Sequence, residues 1–348
     1  MRESLARDGL IPSILASHAS SVENTMSPSA TGSCFLPLLV LALVQVDSAR
    51  ADTFGSGENQ FEIPFVTIGS PGNAPDTVVP DPVSAPLPRG SVDYTYRMAK
   101  YEISEEIIAK ANALSASAGD SLGLTVDISR GPQKPATGLS WFDAARFVNW
   151  LNEEKGIAPA YKFNSSDEFQ LWEPTDPGYN PKNLFRNTLA RYVLPSADEW
   201  HKAAYYDPVN NQYWLYPYGS DDPPTAVPSG HDPGTAVYNQ NGPADVQLAG
   251  GESPFGVVGL AGNVADFEET TRDLLNLVPT ADRGASGGGW IFQLPVNLAA
   301  SFRNSGSVGA QQPRIGVRIV SVPEPETSVL AAALFAMIFG GIATRLTR

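Results

Sequence analysis

The chain has 348 residues, 37 of them acidic and 23 basic, for a formal net charge of −14. That balance leaves no basic stripe to displace counterions from phosphates and so excludes nucleic-acid binding. The excess acid reads as a solvated surface kept apart by like charge, and 31 glycines and 30 prolines beside 42% hydrophobic residues predict many turns around a real core.

The single cysteine, Cys34, stands just ahead of the apolar run Phe35–Val46. That run has the length of a signal-peptide core and is short for a membrane span. Ala49 and Ala51 then fit a small-x-small cleavage pattern before Asp52, so residues 1–51 read as a leader that carries Cys34 away with it. The cysteine precedes the apolar run, which does not suit a lipoprotein acceptor. Export permits disulfides, yet the mature chain is expected to hold no thiol, and its stability must come from burial. No Lys or Arg lies between Met26 and Arg50. The leader's positive end is therefore Arg2 and Arg7, or else the first 25 residues reflect a start set too early.

Residues 52–322 form the body, enough for one large domain with a substantial core. Two strand-like pieces, Phe61–Gly69 and Asp93–Ser104, flank a Pro-rich loop at Thr77–Val92. Ser104 opens a first helix with acids in its first turn, where the helix dipole favours them. Ser140 and Asp143 make a capping box for a second, whose Ala144, Phe147, Val148 and Leu151 form an apolar stripe ending near Gly156. Ser196 and Glu199 cap a third, with Trp200, Ala203 and Ala204 facing inward. The tract Tyr205–Gly219 concentrates aromatic residues in a loop-like setting; exposed, they suit glycan or protein contact, and buried, they fill the core. Elsewhere short β-like runs alternate with Gly, Pro, Asn and Asp clusters, so the class is α+β with little regular structure.

Residues 323–348 run Pro323, Glu324 and Pro325 into an apolar stretch, Ser328–Ala343, followed by Arg345 and Arg348. A hydrophobic stretch near the lower limit for spanning, with arginines beyond it, reads as a short C-terminal anchor. Triplet, helix and basic end resemble the PEP-CTERM sorting signal of Gram-negative bacteria. The resemblance implies export across the inner membrane, membrane attachment through this helix before processing, recognition by an exosortase, and display in the cell envelope or extracellular matrix.

Within the body, YRMAKYEIS, TGLSWFDAARFVNWLN, RYVLPSADEWHKAAYYDP, YWLYPYGSDDPP, SPFGVVGLAGNVADFEE, GGGW and FRNSGSVGAQQPRIGVRIV occur in the order of the formylglycine-generating enzyme (sulfatase-modifying factor) family. The match spans nearly all of Phe65–Val320. It implies a single domain of the formylglycine-generating-enzyme fold, related to C-type lectins, with small sheets, few helices and long ordered loops. In catalytic members two redox-active cysteines bind copper and oxidise a sulfatase cysteine. Aligning Arg303 with the Arg of the family's CAAR segment puts those positions at Pro295 and Ala300, neither of which can supply the thiolate that binds a soft metal. No copper and no formylglycine-generating oxidase activity are expected. Ser286 stands where the family's RGGSW has Arg and Gly289 where it has Ser; Ala265 and Asp266 replace Trp and Glu of GNVWEW.

No other catalytic set emerges. A non-haem iron site needs His ligands; His201 reads as a helix-surface residue, His231 lies in a loop, and no nucleophile elbow is present. Calcium is the more credible ion. The family's loop would supply the carbonyls of Gly262 and Val264 and the carboxylate of Asp266, with Gly259 where an Asn side chain is often used, and a second set would use Asn239 and Gln240 with Asp245 as acid. Trp290, Phe302 and Arg303 are the candidate ligand-binding residues, since an aromatic ring beside an Arg can stack on a sugar or hold a carboxylate. The expected function is a non-catalytic binding protein for an extracellular polysaccharide, peptide or protein. The alternatives are an enzyme with unidentified non-haem metal chemistry and a purely structural surface component.

Overall fold

The computed structural model describes residues 50–77, 88–126 and 130–323. Residues 1–49 of the leader, Cys34 among them, the sorting residues Glu324 and Pro325, and the C-terminal apolar stretch lie outside the described residues; Pro323 is described and exposed. Among the described residues no helix is long and apolar enough to cross a membrane.

Both capping boxes form. Ser140 Oγ accepts from Asp143 N at 3.1 Å while Asp143 Oδ2 accepts from Ser140 N at 2.9 Å, starting the helix Trp141–Glu153. Ser196 and Glu199 do the same at 3.2 and 2.7 Å for Ala197–Tyr205, and Ser104 accepts from Ile107 N to start Glu105–Ser117. Each box satisfies donors that the first helical turn leaves orphaned. The stripe Ala144, Phe147, Val148 and Leu151 is fully buried, as are Trp200, Ala203 and Ala204.

Two sheets carry the rest. A five-stranded sheet runs in the spatial order Arg50–Phe54, Phe61–Ile68, Tyr96–Ala99, Val320–Ser321, Tyr192–Val193, all neighbours antiparallel. Its edge strand begins at Arg50, so a cut after Ala51 would leave Asp52–Phe54 of it. Asp52 is the residue that fastens the strand, pairing with Arg97 at 2.7 Å and accepting from the Tyr192 hydroxyl at 2.8 Å. A four-stranded sheet has the order Asn304–Gly306, Arg283–Ser286, Ala265–Thr271, Ile315–Gly316, the last pair parallel. With three α-helices and several two-residue ribbons among the described residues, the chain is α+β with low regular secondary structure.

The strand Ala265–Thr271 is the structural centre. All seven residues are buried although three are acidic. Trp141 Nε1 donates to the Glu268 carbonyl at 2.9 Å, and Trp200 Nε1 donates to Asp266 Oδ2 at 3.0 Å, so both the second and the third helix lock onto it. Each acid meets an arginine from elsewhere in the chain: Asp266 meets Arg318 at 2.7 Å, Glu268 meets Arg303 at 2.6 Å, and Glu269 meets Arg186 at 2.8 Å. Buried charges persist only when paired and hydrogen-bonded.

Candidate functional site

Three of the positions singled out from sequence sit along Gly287–Arg303. Arg303 is buried, its guanidinium bonded to Glu268 Oε2 and to the carbonyls of Thr270, Thr271 and Arg272. It holds the sheet together and has no face turned to a ligand. Trp290 is half-buried, with the Arg130 guanidinium 5.2 Å from its ring centre, so one face is already stacked. Phe302 is half-buried and meets Phe292 edge-to-face at 5.6 Å. The three do not converge on one pocket. Ser286, where the family's Arg was expected, donates to Glu268 Oε1 at 2.6 Å and completes the Arg303–Glu268 cluster.

The two positions that the resemblance assigns to cysteines have different surroundings. Pro295 opens the short 3-10 helix Pro295–Leu298 and is half-buried. Ala300 is 3% exposed; its N–H donates to the Leu215 carbonyl and its own carbonyl accepts from Arg89 Nη2 at 2.9 Å. Its methyl lines a cavity of about 530 Å³, whose other walls include Asp76, Thr77, Tyr213, Trp214 and Asp221. The site is therefore displaced from Trp290 and Arg303 toward the aromatic tract. Composition signalled Tyr213 and Trp214, whereas nothing in the local sequence marked Asp76, just before the Pro-rich loop, or Arg89, within it, which a bridge brings together.

Behind Asp76 lies His201. A helix-surface position was expected; the structure instead buries the ring at 1% exposure, because the third helix is covered on this side by Asp76, Gly90 and Tyr213. Nε2 lies 2.9 Å from Asp76 Oδ2, and the ring packs on Tyr205 and Tyr213. Burial pushes its pKa from 6.5 down to about 4, against the opposing pull of Asp76. A neutral His in the fold that would charge when unfolded makes stability fall as pH drops from about 6.5 toward about 4, with a slope of at most about 1.4 kcal/mol per pH unit. Denaturant midpoints at pH 7 and pH 4.5 should show that loss, and His201→Gln should flatten it. An equal pH dependence in both proteins would remove His201 as its source. His231 is exposed in its loop.

The calcium sets differ in fit. Asp266 Oδ2 is committed to Arg318 Nε and Trp200 Nε1, but Oδ1 is buried with no hydrogen-bond partner. Nearby, Glu102 accepts from Asn263 Nδ2 at 2.6 Å and Val264 N at 3.2 Å. Its pKa is pushed up to about 8 by burial, against Arg318, with Asp266 adding to the rise. Two buried carboxylates thus share one guanidinium, and one carboxylate oxygen remains over, as a cation beside Gly262 and Val264 would require. In the second set Asp245, the expected acid, pairs with Lys134 at 2.9 Å, while the backbone N–H groups of Asn239 and Gln240 donate to the carbonyls of Phe292 and Trp290, bonds that leave the Asn239 side-chain oxygen and the Gln240 carbonyl uninvolved. Among the described residues no three His, Cys, Asp or Glu side chains cluster as metal ligands.

A sequence model described as the sulfatase-modifying factor enzyme 1-like domain matches residues 81–322. The chain belongs to that family. No curated relative matches its sequence. Among solved structures it is similar to Treponema denticola variable protein 1, at 18% identity and TM-score 0.54, over 78% of this chain and 99% of that one. It is similar also to CarF, at 18% identity and TM-score 0.53, over 75% and 98%. These likenesses are of fold alone. Within the sulfatase-modifying factor fold, the cavity beside Ala300 and the buried strand Ala265–Thr271 are separate features, the first walled by acidic and aromatic side chains and the second buried against arginines from elsewhere in the chain.

Proposed function

We propose that this member of the sulfatase-modifying factor family is a non-catalytic binding protein, exported and displayed in the envelope or matrix, whose glycan or peptide ligand enters the cavity beside Ala300. The observation that carries the reading is that cavity: about 530 Å³, walled by Tyr213 and Trp214 with a few convergent polar groups, and a methyl group where the resemblance assigns a cysteine. Concave sites with aromatic walls and sparse polar groups are the usual form of small-ligand pockets. Pro295 and Ala300 cannot perform thiolate redox chemistry, and Cys34, the sole cysteine of the sequence, falls within the proposed leader. The N-terminal apolar run and the Pro323–Pro325 motif with its following apolar stretch support export and exosortase handling. A glycan and peptide array on the exported body tests binding. A specific ligand class that Trp214→Ala abolishes is expected; a uniformly blank array would sink the reading.

One structural calcium belongs to the same proposal, held by Asp266 Oδ1 and the carbonyls of Gly262 and Val264, where it would occupy the carboxylate oxygen left without a hydrogen bond and brace the loop. Its test is calorimetric melting with and without a chelator. A lowered transition in the chelated protein is expected; an unmoved one removes the ion.

A further inference from the structure

The cavity beside Ala300 changes character from base to mouth, and that change decides between glycan and peptide. Ala300 and Asp76 are buried, Tyr213 and Trp214 are half-buried along the walls, and Thr77, Gln212 and Asp221 are exposed at the mouth. Among the described residues no lysine or arginine lines it. Uronates, sulfates and phosphates would therefore meet two carboxylates and a net charge of −14 with no lining cation in return. Nor does Asp76 call for a positive ligand. Its N–H donates to the Arg89 carbonyl at 2.7 Å, its carbonyl accepts from Arg89 N at 3.3 Å, and its Oδ2 lies 2.9 Å from His201 Nε2, so it already serves the fold.

The two rings offer carbon to a ligand, because their polar ends are used inside the fold. Trp214 Nε1 donates to Asp207 Oδ2 at 3.2 Å. The Tyr213 hydroxyl accepts from Asn73 Nδ2 at 2.7 Å and lies 3.1 and 2.8 Å from the Ala74 and Gly90 carbonyls, to which it donates. Both rings are therefore held before a ligand arrives, which lowers the ordering cost of binding. At the mouth, Asp221 Oδ1 accepts from Leu215 N at 2.8 Å, which fixes that carboxylate beside the walls.

We propose that this cavity takes an uncharged sugar, a pyranose unit of a neutral polysaccharide. A pyranose carries an apolar C–H face, which suits aromatic walls, and a belt of hydroxyls, each of them donor and acceptor at once. A carboxylate accepts only, so a ligand has to bring donors to Asp221. A hydroxyl does so in a charge-assisted bond without bringing charge of its own. A peptide backbone brings a carbonyl with nearly every N–H. Among the described residues at the mouth, the side-chain donors facing those carbonyls are the Gln212 amide and the Thr77 hydroxyl. Carbonyls beyond that supply would lose water without gaining a partner, whereas a sugar hydroxyl turns to suit an acceptor. The volume of about 530 Å³ is of the size usual for small-ligand pockets. The inference rests on the binding-protein reading above.

The test is calorimetric titration of the exported body, and of its Trp214→Ala and Gln212→Ala variants, with cellotetraose, mannotetraose and galactotetraose. The uronic-acid counterpart of each sugar and a set of hexapeptides complete the panel. Binding of at least one neutral tetrasaccharide is expected, weakened on the order of tenfold by Trp214→Ala and more mildly by Gln212→Ala, whose exposed side chain can be cut back without disturbing the core. The uronic-acid counterpart should bind at least about tenfold more weakly, and rising salt should leave the neutral sugar unmoved. A uronic acid bound as tightly as its neutral sugar, or sugar binding untouched by both variants, would overturn the proposal. Hexapeptide binding lost in Trp214→Ala, with every sugar blank, overturns the sugar class yet leaves a binding protein standing; blanks throughout overturn both.

Discussion

Arg186→Met is expected to lower unfolding stability by roughly 3–5 kcal/mol, the cost typical of breaking a buried ion pair by removing one partner. Arg186 is the shared cation of two fully buried carboxylates. Its Nη1 and Nη2 meet Glu199 at 2.9 and 2.8 Å, its Nε meets Glu269 at 2.8 Å, and its remaining reach goes to the Leu194 carbonyl. Tyr94 and Tyr161 add hydroxyl donors, one to each acid. Burial alone would raise the Glu199 pKa, yet the guanidinium holds it below the usual carboxylate range. Methionine matches much of the length but none of the charge, so both acids would have to protonate or draw water inward. Urea midpoints at pH 7 measure the loss. The companion Arg186→Met, Glu199→Gln, Glu269→Gln should recover part of it, since replacing all partners costs less than stranding some. A loss under about 1 kcal/mol in the single variant would mean that solvent reaches this cluster, and the account of a dry interior would fail.

That cluster also shows where the sequence stops being readable. The helices announce themselves locally: a Ser with an acid in the turn that follows it, then apolar residues at helical spacing, is complete within one turn or two, and the three helices start at the expected serines. The segment ADFEETT offers the opposite signal. Its acids look like surface, and only Arg186, Arg303 and Arg318, distant along the chain, make burial tolerable. Pairings of that kind have no local period. The same limit explains Arg303: beside Phe302 it suggested ligand contact, while its actual partners lie on Ala265–Thr271, on the far side of Arg283–Ser286 in the sheet, a strand that the sequence did not delimit. It explains His201 as well, because the residues that cover the third helix are Asp76, just before the Pro-rich loop, and Gly90, near its end. The aromatic tract was legible as composition, but not as a division between buried Tyr205, Tyr206 and Tyr216 and the half-buried Tyr213 and Trp214 that wall the cavity.

Gly284→Ala is expected to cost as much as losing an ion pair, roughly 3–5 kcal/mol, although it adds a single methyl group. Gly284 sits in the buried strand Arg283–Ser286, opposite Ser305. A Cβ there would lie 2.0 Å from Arg303 Nη2, 2.4 Å from Arg303 Cζ and 2.4 Å from Glu268 Oε2. Such separations are far inside contact distance. The atoms it meets are also the ones least free to give: the guanidinium is fixed by Glu268 and three carbonyls, and Glu268 is fixed by Ser286. Moving either partner leaves a charge in the interior with its bonds broken. Overpacking an apolar core by a methyl group costs about 1–3 kcal/mol, so the excess over that range reports the ion pair. Gly309→Ala is the control, since its Cβ would meet only Phe142 at 3.9 Å on an exposed loop; its midpoint should stay close to that of the parent chain. Should Gly284→Ala melt within about 1 kcal/mol of the control, the Arg303–Glu268 pair would have to be able to step aside, and Arg303 would return as a side chain free enough to meet a ligand.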